Sequence, residues 1–376
     1  MLLSEDHLAV QDAVRQYVQA EIAPHAAAWD KSHQFPAAQL KGLAALGCYG
    51  VAVPTEWDGA GLDYLALALI LEEIGAGDGA TSTVVSVNNC PVCSILMAYG
   101  NDDQKQRFLK PLARGDMLGA FCLTEPQVGS EAGGLKTTAV LDGDHYVLNG
   151  VKQFITSGKN GDVAIVMAVT DKAAGKRGIS AFLVPTTTPG YTVARVEDKM
   201  GQHASDTAQI VFEGCRVPVE NRIGDEGQGL KIALSGLEGG RIGIASQSLG
   251  MARAAFDCAL AYSKQRKAFG VAIFEHQAIQ FKLAEMAMKI EAARQLIWHA
   301  ASLKDAGRPC LKEAAMAKLM ASEMAEAVCS GAIQVLGGYG YLSDFPVERI
   351  YRDVRVCQIY EGTSEVQKIL IGRALG

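Results

Sequence analysis

Near the end of the chain a carboxylate preceded by apolar residues is followed at once by glycine, in Ile359-Tyr360-Glu361-Gly362-Thr363-Ser364-Glu365. Thr363 or Ser364 can cap a helix that starts here. Glu361 reads either as a loop acid or as a general base in an apolar cleft, where desolvation raises its pKa toward the working range. Two glycine clusters, Gly227-Gln228-Gly229 and Gly337-Gly338-Tyr339-Gly340, offer unobstructed backbone N–H groups. Neither completes G-x-G-x-x-G after a strand, which disfavours a Rossmann nicotinamide site, and each taken alone reads first as a helix cap or loop. Thr124-Glu125-Pro126 with Gly129-Ser130 supplies hydroxyls and loop N–H groups for an anionic or heteroaromatic ligand, although its composition is that of an ordinary turn. In Gln153-Phe154-Ile155-Thr156 an aromatic ring and a hydroxyl two residues apart share one side of a strand; core packing is the commoner use of such a pair.

Other chemistries find little support. The seven histidines show no paired metal spacing, and neither a G-x-S-x-G elbow nor a P-loop is present. Cys90-Pro91-Val92-Cys93 has thioredoxin spacing without a surrounding strand-helix-strand pattern, so inert buried thiols are expected. The formal charge of −6 argues against a nucleic-acid ligand, and 49% hydrophobic with 20% charged residues excludes a disordered chain. Ala80 to Asn101 is uncharged, but Asn88, Asn89 and Pro91 speak against a membrane span and for a buried helix. The opening Met1-Leu2-Leu3-Ser4-Glu5-Asp6 lacks the pattern of a signal peptide, and nine scattered cysteines suit a reducing cytoplasm.

The elements that must position these residues change character twice. Residues 1–118 read as helices, beginning with one capped by Ser4 and carrying Val10, Val14, Val18 and Ile22. Residues 119–226 carry short β-branched segments with turn residues between them and no room for crossover helices, hence an antiparallel β domain. Residues 227–376 return to long helices, one with a seam through Ile279, Leu283, Met286, Ile290, Ala293 and Ile297, the next rich in Ala and Met, together a bundle. The expected class is α+β multidomain: helical, then β, then helical.

Taken together and in order, the segments Phe121-Cys122-Leu123-Thr124-Glu125-Pro126, Gly129-Ser130, Lys199-Met200-Gly201, Arg266-Lys267-Ala268-Phe269-Gly270, His276-Gln277, Gln334-Val335-Leu336-Gly337-Gly338 and Ile359-Tyr360-Glu361-Gly362-Thr363 resemble the acyl-CoA dehydrogenases. The likeness runs from about residue 4 to 374 and is greatest to short-chain and short branched-chain members. It implies FAD at the join of the β domain and the C-terminal bundle. Leu123 and Thr124 would meet the pyrimidine side, Gly129 and Ser130 the pyrophosphate and the CoA ligand, and Phe154, Ile155 and Thr156 the ring near N5. Arg266, Phe269, Gln277, Gln334, Gly337 and Gly338 would hold the rest partly from a neighbouring subunit, with Thr363 and Glu365 as further contacts. A shared cofactor implies an oligomer, typically a homotetramer, and the seam at 279–297 is a candidate for its packing.

The implied reaction removes the proton α to the thioester through Glu361 and passes the β hydride to the flavin, giving a 2-enoyl-CoA. Ser130, Glu238, Arg241, Tyr360 and Gly362 match substrate-lining positions. Gly240 stands where another branch of the family carries its base, which leaves Glu361 alone in that role. Phe154 in place of the usual Trp, and Gly239-Gly240-Arg241, lean toward short straight or α-branched acyl groups; Gln127-Val128 replaces a smaller pair before Gly129. The missing arginine around Ala80 to Val87 argues against a dicarboxylic substrate. Electrons are expected to leave through an electron-transfer flavoprotein. The alternatives are a flavin oxidase on the same fold and a catalytically silent acyl-CoA or FAD binder.

Overall fold

The computed structural model describes residues 3–376. Ser4 caps the first helix, Glu5–Tyr17, through a bond from the His7 N–H at 3.2 Å. Helices Ala26–Ser32 and Ala37–Ala45 follow, and Asp63 caps Tyr64–Gly77, which is buried on nearly every side. The uncharged stretch after Gly79 is not one helix. It breaks at Cys90 (φ −139°, ψ 116°), because Pro91 has no N–H and pushes its predecessor out of the helical region; a helix resumes at Ser94–Tyr99. Asn88 and Asn89 serve the neighbouring loop: their amides donate to the Tyr49 and Cys48 carbonyls, and Asn89 Oδ1 accepts from the Val51 N–H.

The middle region is one eight-stranded sheet built from β1 Gly119–Cys122, β2 Thr138–Asp142, β3 His145–Thr156, β4 Val163–Val169, β5 Ile179–Pro185, β6 Tyr191–Val196, β7 Thr207–Pro218 and β8 Arg222–Ile223. Its order is β6-β7-β3-β2-β4-β5-β8, with β1 beside β4. Most pairs are antiparallel. The β1–β4 pair is parallel, from Gly119↔Val163 to Cys122↔Val166, because the chain returns through the β2–β3 hairpin rather than by a tight turn. The register of β3 against β7 slips between Lys152 and Ile155, and Phe154 sits in that irregularity with φ 59°.

Three long helices complete the chain: Gly229–Gln265, Gln277–Asp305 and Leu311–Leu336. The seam expected to pack subunits is used within the chain. Leu283, Met286, Ile290, Ala293 and Ile297 are buried against the other two helices, while Phe281 and Met288 on the opposite side stay exposed. Among the described residues no helix is long and apolar enough to cross a membrane.

A buried charge cluster ties the helical parts together. Glu73 pairs with Arg15 at 2.8 Å and Arg253 at 2.6 Å, and neighbouring Glu72 with Arg294 at 3.0 Å. Burial alone would raise the Glu73 pKa, but the bond from Arg15 and the charge of Arg253 outweigh it and leave the carboxyl below its ordinary range. Its contribution to stability is therefore present above the ordinary carboxylate pKa and lost as pH falls through the lowered value. Glu73→Gln takes the charged partner from part-exposed Arg15 and leaves Arg253 with Glu72 alone, and is expected to cost about 1–3 kcal/mol at pH 7 in denaturant unfolding. The difference from the parent should shrink toward pH 3; a constant difference would mean the ion pairs are not its source.

Candidate active site

Thr363, extended at φ −59° and ψ 166°, caps the helix Ser364–Arg373 by accepting from the Val366 N–H at 3.3 Å. The two residues before it are left-handed, Glu361 at φ 54° and Gly362 at φ 88°. Glycine adopts this freely, whereas for glutamate it costs about 1–3 kcal/mol and must be enforced by the surroundings. Gln367 and Lys318, both fully buried, do so from two helices. The Gln367 amide donates to the Glu361 carbonyl at 3.1 Å and the Gly362 carbonyl at 2.8 Å, and Lys318 Nζ donates to the Gly362 carbonyl at 2.7 Å.

The Glu361 side chain lies against the helix Gly229–Gln265. A Cβ at Gly240 would stand 2.7 Å from Glu361 Oε2, so only glycine leaves the carboxyl its space. Gly239 and Gly236 likewise admit Cys90 and Ile95 from the N-terminal part. Oε2 is sealed from solvent without a hydrogen-bond partner, although the residue as a whole is only part-buried. Burial pushes the Glu361 pKa from 4.5 to about 7, against the pull of Arg241 and Lys318. Arg241 is 4% exposed, with Nε and Nη1 unpartnered; burial lowers its pKa while Glu361 and Glu238 draw it back.

Beside this group lies a cavity of about 400 Å³ whose lining includes Tyr64, Cys90, Ser94, Glu238, Gly239 and Lys304. Glu238 does not join Glu361; it pairs with Lys304 at 3.1 Å. The cavity thus holds a cation that sequence reading did not anticipate, neutralised by an acid it did. Tyr360, next to the carboxylate, has its hydroxyl 3.3 Å from the Gln202 amide and 3.4 Å from Thr83 Oγ1. The Gln202 N–H donates to Asp353 at 2.5 Å, so all three parts of the chain meet under Tyr360.

The flavin-side residues gather at one end of the sheet. The Gln153 N–H donates to the Thr124 carbonyl at 2.9 Å, and buried Lys152 joins the Leu123 carbonyl to the Glu125 carboxylate. Glu125 also accepts from the Lys136 and Thr137 N–H groups and from Gln127, which gives that unusual residue a local role; Val128 is buried. Phe154 is 63% exposed and Gly129 and Ser130 are exposed, whereas the Ile155 side chain is buried in the sheet. Thr156 pairs with Thr207, whose hydroxyl accepts from Lys199 at the start of the Gln202 loop, linking this end of the sheet to Tyr360.

Arg266, Gly337 and Gly338 converge elsewhere, in an open groove of about 670 Å³ with Tyr262 and Tyr339. A Cβ on Gly337 or Gly338 would meet nothing, so the groove floor is bare backbone. Phe269 is 96% exposed and packs edge-on to His276, next to exposed Gln277; Gln334 and Glu365 are exposed as well. The two cavities share no residue. An exposed aromatic over a loop of free backbone, and an arginine beside bare glycines, fit the flavin and the phosphate-bearing ends of FAD. Sequence reading also missed Lys318, Gln367 and Gln202. Of these only Lys318 left a signal: it falls between Ala314 and Ala321 on the buried stripe of an Ala-rich helix, where a charge demands a partner. Another grouping it missed, His33, Asp198 and His203, has both His203 ring nitrogens already engaged, by Asp30 and the Lys199 carbonyl.

A helical, β, helical chain carries a desolvated carboxylate where its three parts meet, the setting in which a carboxylate can act as a base. Residues 4–116, 120–215 and 227–376 match the families described as acyl-CoA dehydrogenase N-terminal, middle and C-terminal domains. The short-chain specific mitochondrial acyl-CoA dehydrogenase of Rattus norvegicus is 49% identical over 98% of this chain and 90% of its own length. Butyryl-CoA dehydrogenase from Megasphaera elsdenii superposes with a TM-score of 0.97 at 41% identity, covering 100% of this chain and 99% of that one. A chain from a structure of the electron transferring flavoprotein of Acidaminococcus fermentans gives 0.98 at 45% identity with the same coverage. The chain belongs to the acyl-CoA dehydrogenase family, whose members use FAD.

Gly240→Ala is expected to displace the Glu361 carboxylate and slow flavin reduction by acyl-CoA about 100-fold, the scale of a 1 Å misplacement. FAD content and thermal midpoint should stay near the parent's. A fast Gly240→Ala enzyme would show that the close approach does not set the carboxylate's position.

Proposed function

We propose that the protein converts a short straight or α-branched acyl-CoA to its trans-2-enoyl-CoA, with Glu361 as the base and an electron-transfer flavoprotein as acceptor. The observation that carries this reading is the Glu361 carboxylate packed on Gly240 with one oxygen buried and unpartnered, one residue along the helix from Gly239, which with Cys90 lines a cavity of about 400 Å³. Its pKa near 7 suits proton abstraction at neutral pH. No backbone acceptor meets the Glu361 N–H, which leaves it free to donate to the thioester oxygen as charge builds there. FAD, when bound, supplies the hydride acceptor. Leu123, Thr124, Phe154 and Thr156 would hold its ring end and Ser130 its pyrophosphate, while Arg266, Phe269, Gln277, Gln334, Gly337 and Gly338 would serve the remainder across a subunit interface.

Several features bear on the finer points. The Glu238–Lys304 pair puts charge in the cavity lining, and a long apolar chain pressed against it would strip water from both ions. This favours short acyl groups, as do the relatives named for short chains and butyryl-CoA. Glu238 also neutralises the one lysine that a distal carboxylate would meet. The exposed Phe269, Tyr341, Phe281 and Met288 support burial by further copies of the chain, as in a homotetramer.

Anaerobic titration with butyryl-, isobutyryl-, 2-methylbutyryl-, isovaleryl- and octanoyl-CoA should bleach the oxidised flavin with one or two of the four- and five-carbon chains and least with octanoyl-CoA. The rate should rise with pH through about 7 as Glu361 loses its proton. Glu361→Gln should keep FAD yet lose reduction by at least 1000-fold; full activity in that variant refutes the base. Rapid substrate-dependent peroxide formation in air would favour an oxidase on the same fold over transfer to a flavoprotein.

A further inference from the structure

We infer that Lys318 is a positioning residue for the base: with Gln367 it clamps the carbonyls of Glu361 and Gly362, fixes the left-handed turn between them and holds a cation facing the carboxylate. The inference rests on Glu361 being the base. A fully buried lysine is costly, and this one forms its 2.7 Å hydrogen bond to a backbone carbonyl, not to a carboxylate that would neutralise it. Gly362 O receives both Lys318 Nζ and the Gln367 amide, and Glu361 O receives the same amide, so two successive peptide planes are pinned from two helices. The strained φ of Glu361 persists because rotating either plane would break these bonds.

The same ammonium stabilises the ionised carboxylate. The charged and titratable groups facing this pair are Arg241 on the helix Gly229–Gln265, Cys90 from the N-terminal part, and Cys357 and Glu365 beside Lys318. Burial lowers the Lys318 pKa to about 8, so it is still largely protonated where Glu361 ionises.

The test measures the pH dependence of flavin reduction in the holoenzymes of Lys318→Met, Lys318→Arg, Gln367→Leu and Glu361→Gln, alongside acyl-CoA KM, FAD content and thermal midpoint. Loss of the cation in Lys318→Met should move the acid limb up by about one pH unit and lower the plateau roughly 10- to 100-fold, with KM changed much less. Lys318→Arg should restore the limb but not the full plateau. Gln367→Leu removes a neutral donor and should lower the plateau with the limb unmoved. If Lys318→Met fails to fold, the arginine and Gln367 variants carry the test, and a full plateau in both overturns the inference. A Lys318→Met limb coincident with the parent's also overturns it, as does a loss confined to FAD content and thermal midpoint. Full activity in Glu361→Gln would instead overturn the base assignment on which it rests.

Discussion

Ionising the Glu361 carboxyl is opposed by its burial, since one oxygen has neither water nor a protein donor, and the neighbouring elements are shaped around that opposition. An ordinary surface acid would be a weak base with a pKa near 4.5; full burial without compensation would leave it protonated and useless. The balance comes from two cations that face the carboxylate without taking its free oxygen as a hydrogen-bond partner. Arg241 keeps two guanidinium nitrogens idle, and Lys318 spends its proton on a backbone carbonyl. Charge thus acts on the carboxylate from beyond ion-pair contact, and its buried oxygen stays unpartnered.

Geometry imposes a second requirement that is met far away in sequence. The carboxyl can occupy its place only because Gly240 has no side chain, and the helix that carries Gly240 can approach the N-terminal segment only because Gly236, Gly239 and Gly243 are equally bare. The break at Cys90-Pro91 belongs to the same fit, since the Cys90 thiol there lies against Gly239 and Tyr64 and lines the cavity. Gln202, from the loop between β6 and β7, then locks Tyr360 to Asp353 and Thr83. Catalytic geometry here is a property of the junction between the three parts of the chain.

Much of this was legible in the sequence where a residue type has one strong physical use. Ser4 and Thr363 as caps, the three-and-four periodicity through Leu283 to Ile297, the turn glycines around the β segments and the acid before Gly362 each carry a local signal. The strands β2 and β6 carry only a weak signal of their own, because their residues are mostly exposed and show little alternation, so only neighbouring strands make them strands. The seam at 279–297 was read correctly as apolar but assigned to subunit packing, because periodicity reports that a face is buried and not what buries it.

The clamp around Glu361 was illegible for a different reason. Lys318, Gln367 and Gln202 act on backbone atoms or on Tyr360 from 43, 6 and 158 residues away, counted as 361 − 318, 367 − 361 and 360 − 202, and none belongs to a recognisable motif. Such residues lie behind the turn, so apart from the charge of Lys318 on a buried helix stripe nothing in their type announces a role. Their necessity follows from the turn itself. A glutamate held left-handed beside a glycine has two carbonyls and two N–H groups that a regular helix or strand would have satisfied. The fold gives the Glu361 N–H no backbone acceptor, and it secures the carbonyls of the same turn by side chains, since the carboxylate's direction depends on those peptide planes. A site that spends backbone N–H groups on its ligand has to borrow donors from elsewhere to stay rigid, and a buried lysine and glutamine are what this chain uses.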